Sequence, residues 1–276
     1  MAERLRVFHL IKGLGRGGAE SLLLGCGGRH GEASVAYGAG YFLPWKDALV
    51  APLREAGVEV VRFTARTAPG MLAQVPRIAS FLRRWRAGVV HCHLPLAGVA
   101  GRLAGRLAGV PVVYTEHNLM ERYHPWTRRA NLWTWGLQAR VVAVSAEVAA
   151  SIERHGGSIV PVRVVRNGVP VDRLRRDAAA GLEVRRRLGI PEDAPVVGQV
   201  AVFRRQKRLD LWLETAREIR RRRPDARFLL VGDGPLRGKV ESLARELGLG
   251  DAVCFAGLQD DVRPYLSAMD LLLVSS

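Results

Sequence analysis

A chain of 276 residues with 48% hydrophobic side chains, 30 glycines and 14 prolines is long enough for two medium domains, and its composition excludes a disordered or fibrous protein. No apolar run reaches the length of a membrane helix. A net charge of +16, carried by 38 arginines and four lysines against 26 acidic residues, implies attraction to nucleic acid, anionic lipid or phosphorylated substrates, but no zinc-finger, RNA-binding-sheet or helix-turn-helix signature accompanies it, which argues against nucleic acid.

Short β-branched runs alternate with stretches of helical period, the pattern of an α/β fold with parallel sheets covered on both faces. Met1 to Gly13 has a short apolar run and no small-residue cleavage site, so no signal peptide is expected. The first predicted strand, Arg6 to Lys12, enters the glycine-rich loop Gly13-Leu14-Gly15-Arg16-Gly17-Gly18-Ala19-Glu20, which opens a helix. Glycines allow the backbone close to an anion, and a helix N-terminus supplies free N–H groups, so the loop suits a phosphate. Gly13, Gly15 and Gly18 also spell the dinucleotide fingerprint, yet the tip of the next strand, around Tyr37 to Phe42, carries no carboxylate for a ribose, against an NAD enzyme.

Further strands are predicted at Ala33 to Tyr41, Val58 to Thr64, Val89 to Leu94, Val112 to Glu116, Val141 to Ser145 and Val162 to Arg166, with helices such as Ala73 to Trp85 and Ala97 to Leu107 between them. His91, Cys92 and His93 fall at the C-terminal end of the fourth strand, where open α/β sheets bind ligands. Alternation puts His91 and His93 on one face. As metal ligands they lack a third partner nearby in sequence, so they read as polar lining and no metal is expected. Thr115-Glu116-His117-Asn118 ends the next strand, with His117 able to donate a hydrogen bond or carry a proton, or simply to be a satisfied loop histidine. Tyr123, Trp126, Trp133 and Trp135 are interleaved with Arg122, Arg128, Arg129 and Arg140. That mixture suits an anionic membrane interface or an amphipathic acceptor, and equally a helix packed on a neighbour through its tryptophans.

Residues 1–170 read as one complete domain, residues 171–195 as a linker and domain entry with a short helix at Leu182 to Leu188, and residues 196–276 as a second domain. In the last, strands are predicted at Val196 to Phe203, Arg227 to Val231, Ala252 to Ala256 and Asp270 to Val274, with helices at Leu209 to Arg222, Leu236 to Leu247 and Val262 to Ala268. Arg204, Arg205 and Lys207 precede the first of these helices, where cations can neutralise a leaving diphosphate. Val231-Gly232-Asp233-Gly234-Pro235 is a tight turn on the same edge. Cys26, Cys92 and Cys254 are odd in number and scattered, which argues against a disulfide framework and for a reducing, cytoplasmic compartment.

Taken together, Gly17-Gly18-Ala19-Glu20, Val90 to His93 with Ala97-Gly98, Thr115 to Asn118, Val144-Ser145, Arg166-Asn167-Gly168-Val169, Lys207, Gly232-Asp233-Gly234-Pro235 and Phe255-Ala256-Gly257 resemble glycosyltransferase family 4 over nearly the whole chain. The resemblance implies a GT-B fold of two Rossmann-like domains, the second incomplete, and retaining transfer of a sugar from a UDP- or GDP-sugar to a lipid-linked, polysaccharide or small-molecule acceptor, with no obligatory cofactor or metal. By the same resemblance Lys207 and His117 are catalytic, and Gly17, Gly18, Arg204, Arg205, Gly232 and Asp233 bind the donor. Gly15, Arg16, His93, Glu116 and Asn118 lie on the acceptor side. Two departures stand out. The family's arginine five residues before the lysine is Val202 here, so Arg204 or Arg205 must substitute, and the E-x7-E motif expected after Ser275 or Ser276 is not present. A truncated, impaired transferase at the inner face of a membrane is the expectation, and a non-catalytic nucleotide- or anion-binding fragment is the alternative.

Overall fold

The computed structural model describes residues 4–27, 35–169 and 171–276. The chain divides into two compact units after residue 170.

The first unit runs β1 Leu5–Ile11, α1 Gly18–Gly27, β2 Val35–Tyr41, α2 Val50–Glu55, β3 Glu59–Arg62, α3 Ala68–Ala73, α4 Val75–Arg84, β4 Val89–His93, α5 Pro95–Ala108, β5 Val112–Glu116, α6 Pro125–Trp133, β6 Arg140–Ala143, α7 Ala146–Arg154 and β7 Val162–Val164. Its strands form one parallel sheet in the order β3-β2-β1-β4-β5-β6-β7. The order reverses between β1 and β4, and such a switch point opens a crevice at the carboxyl ends of the strands. Phe8, Leu10, Cys92, Tyr114 and Val141 pack with Ile78 and Leu82 of α4, Ala97, Ala100 and Ala104 of α5, and Ile152 of α7. On the other side of β1 and β2, Ile11, Ala39 and Tyr41 join Leu23 of α1 and Leu53 of α2. The approach of α5 to the sheet depends on a glycine stripe: a Cβ on Gly101 would overlap Cys92 Sγ, one on Gly105 would overlap Val112, and one on Gly98 would sit 2.8 Å from the Tyr114 ring.

The helix expected from Ala73 to Trp85 is α4, Val75–Arg84, and a separate short helix, α3, ends just before it at Ala73, with Gln74 capping both. Pro76 explains the break, because its ring is tolerated in a first turn but not inside a continuing helix. The expected strand from Ala33 begins outside the described residues, and β2 is described from Val35.

In the second unit the elements are α8 Ala178–Arg187, β8 Val196–Val200, α9 Leu209–Arg222, β9 Arg227–Val231, α10 Arg237–Glu246, β10 Val253–Gly257, α11 Arg263–Ala268 and β11 Leu271–Leu272, with a parallel sheet ordered β10-β9-β8-β11. One core joins Trp212 and Leu213 of α9 to Phe228 and Leu230, and a second joins Val184 and Ile190 to Leu229, Val231 and Tyr265. The helix near residue 182 is therefore longer than Leu182 to Leu188 and is part of this unit's core. It starts where the Asp177 side chain accepts a hydrogen bond from Ala180 N–H at 3.0 Å, a regular N-cap. The strand expected to run to Phe203 stops at Val200, because beyond it the chain bonds to the loop after β9: Ala201 N–H to Val231 O and Phe203 N–H to Asp233 O, both at 2.9 Å. No described helix is long and apolar enough to cross a membrane.

Candidate functional site

In the first unit the candidate residues gather at the carboxyl ends of β1, β4 and β5. The loop after β1 is fixed by its backbone. Leu14 N–H donates to Lys46 O at 2.7 Å, Leu49 N–H donates to Leu14 O, and Gly17 N–H donates to Gly15 O at 3.1 Å. Leu14 is fully buried, while Gly15 and Gly17 are half-buried and Arg16 and Gly18 are exposed. The loop thus presents Gly15 to Gly18 at the N-terminus of α1, the polarity that attracts an anion.

Behind it lies a ladder of imidazoles. Register pairs His9 with His91 across β1 and β4, so the two share a face with His93, opposite Cys92 and α5. His9 Nδ1 is 3.0 Å from His93 Nε2, His93 Nδ1 is 3.1 Å from His117 Nε2, and His91 Nε2 is 2.7 Å from Thr115 Oγ1. The rings of His9 and His93 stack at 5.3 Å between centroids, and those of His91 and His93 lie 4.4 Å apart. Burial pushes His91 and His117 down to about 4 and holds His9 and His93 well below the usual imidazole range, and for His9, His91 and His93 like-charge repulsion from neighbouring rings acts the same way. All four are neutral at pH 7, so each contact among them is a donor meeting a lone pair. Leu94, directly after His93, has φ 70°, a strained value for a non-glycine residue at the end of this strand. The third imidazole that sequence distance hid from His91 and His93 is His9, brought in because β1 neighbours β4.

Glu116 is placed differently from the expectation that it lines an acceptor site. It is fully buried, and both its oxygens are occupied: Tyr114 Oη donates to Oε2 at 2.9 Å, and His117 N–H at 3.0 Å, Asn118 N–H at 3.3 Å and the Tyr123 hydroxyl all donate to Oε1. Burial raises its pKa and the four donors oppose that rise. Strand alternation is the reason, since Tyr114 and Glu116 both point to the α5 side. Its function here is to shape the turn that holds out His117, which is half-buried, and Asn118, which is exposed. Arg102 of α5, unmarked in the sequence, is buried beneath this turn. It donates to Gln138 and Asn131 and lies over the rings of Tyr114 and Trp135.

The tryptophan stretch separates into two kinds. Trp135 is buried and donates to Gly157 O at 2.8 Å, whereas Trp126 and Trp133 of α6 are 72% and 90% exposed, with Arg129 over the Trp126 ring.

In the second unit the basic turn after β8 is a single 3₁₀ turn, Arg205–Lys207, and α9 starts only at Leu209. Arg208 between them has φ 45°. Arg204, Arg205 and Arg208 line a cavity of about 430 Å³ with Leu236, Lys239 and Val240, and Lys207 does not line it. Lys207 instead reaches Ser276 Oγ at 3.4 Å, and its carbonyl accepts from Ser275 Oγ at 2.8 Å. After β9, Gly232 adopts φ 125° directly against Ala201 O, where any Cβ would overlap. Asp233 is used within its own turn, accepting from Gly234 N–H at 2.6 Å and from Arg237 at 3.1 Å. The backbone hydrogen bond from Gly234 and the Arg237 guanidinium hold its carboxyl below the ordinary range. The structure therefore brings Lys207, Ser275 and Ser276 together, and separately Arg204 with Arg205.

Residues 5–173 match the model of Glycosyltransferase Family 4, and residues 182–276 match that of glycosyl transferases group 1. The chain is 27% identical over 244 residues to 2-deoxystreptamine glucosyltransferase of Streptomyces kanamyceticus, covering 82% of this chain and 63% of that protein. It is 28% identical over 249 residues to 2-deoxystreptamine N-acetyl-D-glucosaminyltransferase of Streptomyces fradiae, covering 82% and 58%. The chain thus spans less than two thirds of the length of either relative. A crystal structure of Anabaena HepE in complex with UDP-glucose superimposes with a TM-score of 0.87 at 20% identity, over 99% of this chain and 74% of that one, which shows a GT-B fold. With a family model spanning more than half of its residues, the chain belongs to Glycosyltransferase Family 4.

Proposed function

We propose that this chain carries the acceptor and donor machinery of a retaining glycosyltransferase that moves a sugar from a UDP-sugar, ahead of a GDP-sugar, onto a lipid-linked, polysaccharide or small-molecule hydroxyl, with the nucleoside diphosphate as leaving group. The observation that carries the reading is the pairing, at one edge of the second sheet, of a cationic turn at Arg204 to Lys207 with the glycine turn at Gly232 to Pro235. Cations there offset the charge that develops on a leaving diphosphate, and the glycines let the two loops close on each other at that edge. In the same reading His117 contacts the transferred sugar or the acceptor hydroxyl, and the Gly15 to Gly18 loop faces the reacting groups. UDP is favoured because the solved neighbour binds UDP-glucose.

Thermal shift with UDP, GDP and NAD tested separately decides among donor classes, since a ligand selective for the folded state raises the melting temperature. A rise with UDP alone supports the proposal. A rise with NAD alone, or none with either nucleotide diphosphate, overturns it. Nucleotide binding without transfer, in the presence of donor and acceptor, would favour a binding module.

Peripheral contact with an anionic membrane, on the cytoplasmic side, belongs to the same proposal. Two tryptophans seven residues apart on α6, with Arg129 between them, suit the interfacial zone of a bilayer. Wild-type protein should sediment with anionic vesicles at low salt, and a variant carrying Trp126→Ala and Trp133→Ala should not. Equal sedimentation of the two would remove the membrane part of the reading.

A further inference from the structure

Among the described residues, His9, His91 and His93 are the group of metal-ligating side chains that the fold brings together, with one nitrogen of each within 4.8 Å of the others. We propose that these three histidines bind one divalent transition-metal ion of the zinc class, independently of the transfer chemistry.

Zinc–nitrogen bonds are about 2.0–2.1 Å, so two ligands of a tetrahedral zinc are about 3.4 Å apart. His9 Nδ1 and His93 Nε2 already meet at 3.0 Å. His91 is the half-buried member of the three. Metal-bound imidazoles have their second nitrogen held by an outer partner. That arrangement exists for two of the rings, His91 Nε2 on Thr115 Oγ1 and His93 Nδ1 on His117 Nε2, which leaves the opposite nitrogen of each for an ion. In His9 it is Nδ1 that faces His93, while its Nε2 is buried without a hydrogen-bond partner, so this ring alone lacks an outer partner. An all-imidazole set suits zinc, copper or nickel and not the oxygen-seeking magnesium or calcium. An ion here would clamp β1 to β4 at the switch point.

The test uses untagged protein, stripped with a chelator and titrated with Co²⁺ and then Zn²⁺. One cobalt per chain with visible d–d absorption, displaced by zinc, is expected, together with a higher melting temperature in Zn²⁺ and none in Mg²⁺. His91→Phe, checked for folding by circular dichroism, should weaken binding by at least about 100-fold, the upper range that loss of an outer partner alone causes. X-ray absorption at the zinc edge of wild-type protein gives a reading that does not depend on any variant folding, and should show three imidazole nitrogens. Failure of the wild type to bind either ion, binding unchanged in folded His91→Phe, or a shell with fewer than three imidazoles would each overturn the proposal.

Discussion

His93 Nδ1 and His117 Nε2 are 3.1 Å apart, so the ring at the rim of the first sheet is oriented from inside the sheet. If His117 touches the sugar or its acceptor, the two substitutions separate by rank. His117→Ala should lower kcat by about 100-fold, the low end of what a positioned proton donor or acceptor supplies. His93→Phe leaves His117 in place but without its inner partner, and a loss of about 10-fold, with donor KM unchanged, is expected. Steady-state kinetics with a UDP-sugar decide the order, and a His117→Ala enzyme as fast as wild type would exclude the assigned role.

Glu116 predicts a stability effect. Glu116→Ala strands the buried Tyr114 hydroxyl and two backbone donors, so a loss of about 2–4 kcal/mol is expected in urea unfolding. Because burial raises the folded pKa above the unfolded value of about 4.3, this carboxyl's contribution is complete below that value and declines as pH rises through the folded one. The gap between wild type and Glu116→Gln should therefore be widest near pH 4 and narrow toward neutrality. A gap that widens with pH would show the carboxyl to be ionised throughout.

Arg185 and Asp270 anchor the entry helix of the second unit. The Arg185 guanidinium donates to the carbonyls of Ala268, Glu192 and Ala194 and to Asp270 Oδ2, and Asp270 also accepts from Val196 N–H. Lysine cannot make this planar fork, so Arg185→Lys should destabilise by about 2–4 kcal/mol in chemical unfolding. Burial raises the Asp270 pKa, but the Val196 and Arg185 hydrogen bonds outweigh it and leave it lowered. Its contribution is therefore present above the unfolded value of about 3.9 and is lost as pH falls below that. The stability gap between wild type and Arg185→Lys should narrow at strongly acid pH by the share that Asp270 supplies, the three carbonyl contacts being independent of pH.

Arg208 holds a left-handed backbone at the start of α9, φ 45° and ψ 46°, where glycine has no Cβ to crowd the carbonyl. Arg208→Gly should raise the melting temperature by about 1–3 °C, the relief being partly offset by glycine's freer unfolded chain. A lower melting temperature would mean that the ion pair of Arg208 with Asp210 matters more than the backbone.

Much of the strand placement was readable because parallel strands buried on both faces are written as β-branched runs bounded by glycine and charge. Residues that act through distant partners were not readable. His9 is separated from His91 by about half of the first unit's length, and nothing in its own neighbourhood marks it. The available clue was parity: with β1 beside β4, matched strand positions share a face. Glu116 looked like a site residue because it ends a strand next to His117, and its inward direction became plain only with Tyr114 and Tyr123 around it. The break at Pro76 was legible in principle. The fates of Trp126, Trp133 and Trp135 were not, because an aromatic in a helix says how much surface it covers but not whether a neighbour is there to be covered.

The loops after β8 and β9 are joined through main-chain atoms: Ala201 N–H on Val231 O, Phe203 N–H on Asp233 O and Leu236 N–H on Phe203 O. Such a joint is indifferent to most side chains. Arginines 204 and 205 project from a frame that neither of them maintains, and only Gly232 and Gly234, where a Cβ would strike the crossing strand, are fixed by it. Substitutions at positions 204 and 205 can therefore change what this edge presents to solvent without unfolding the domain.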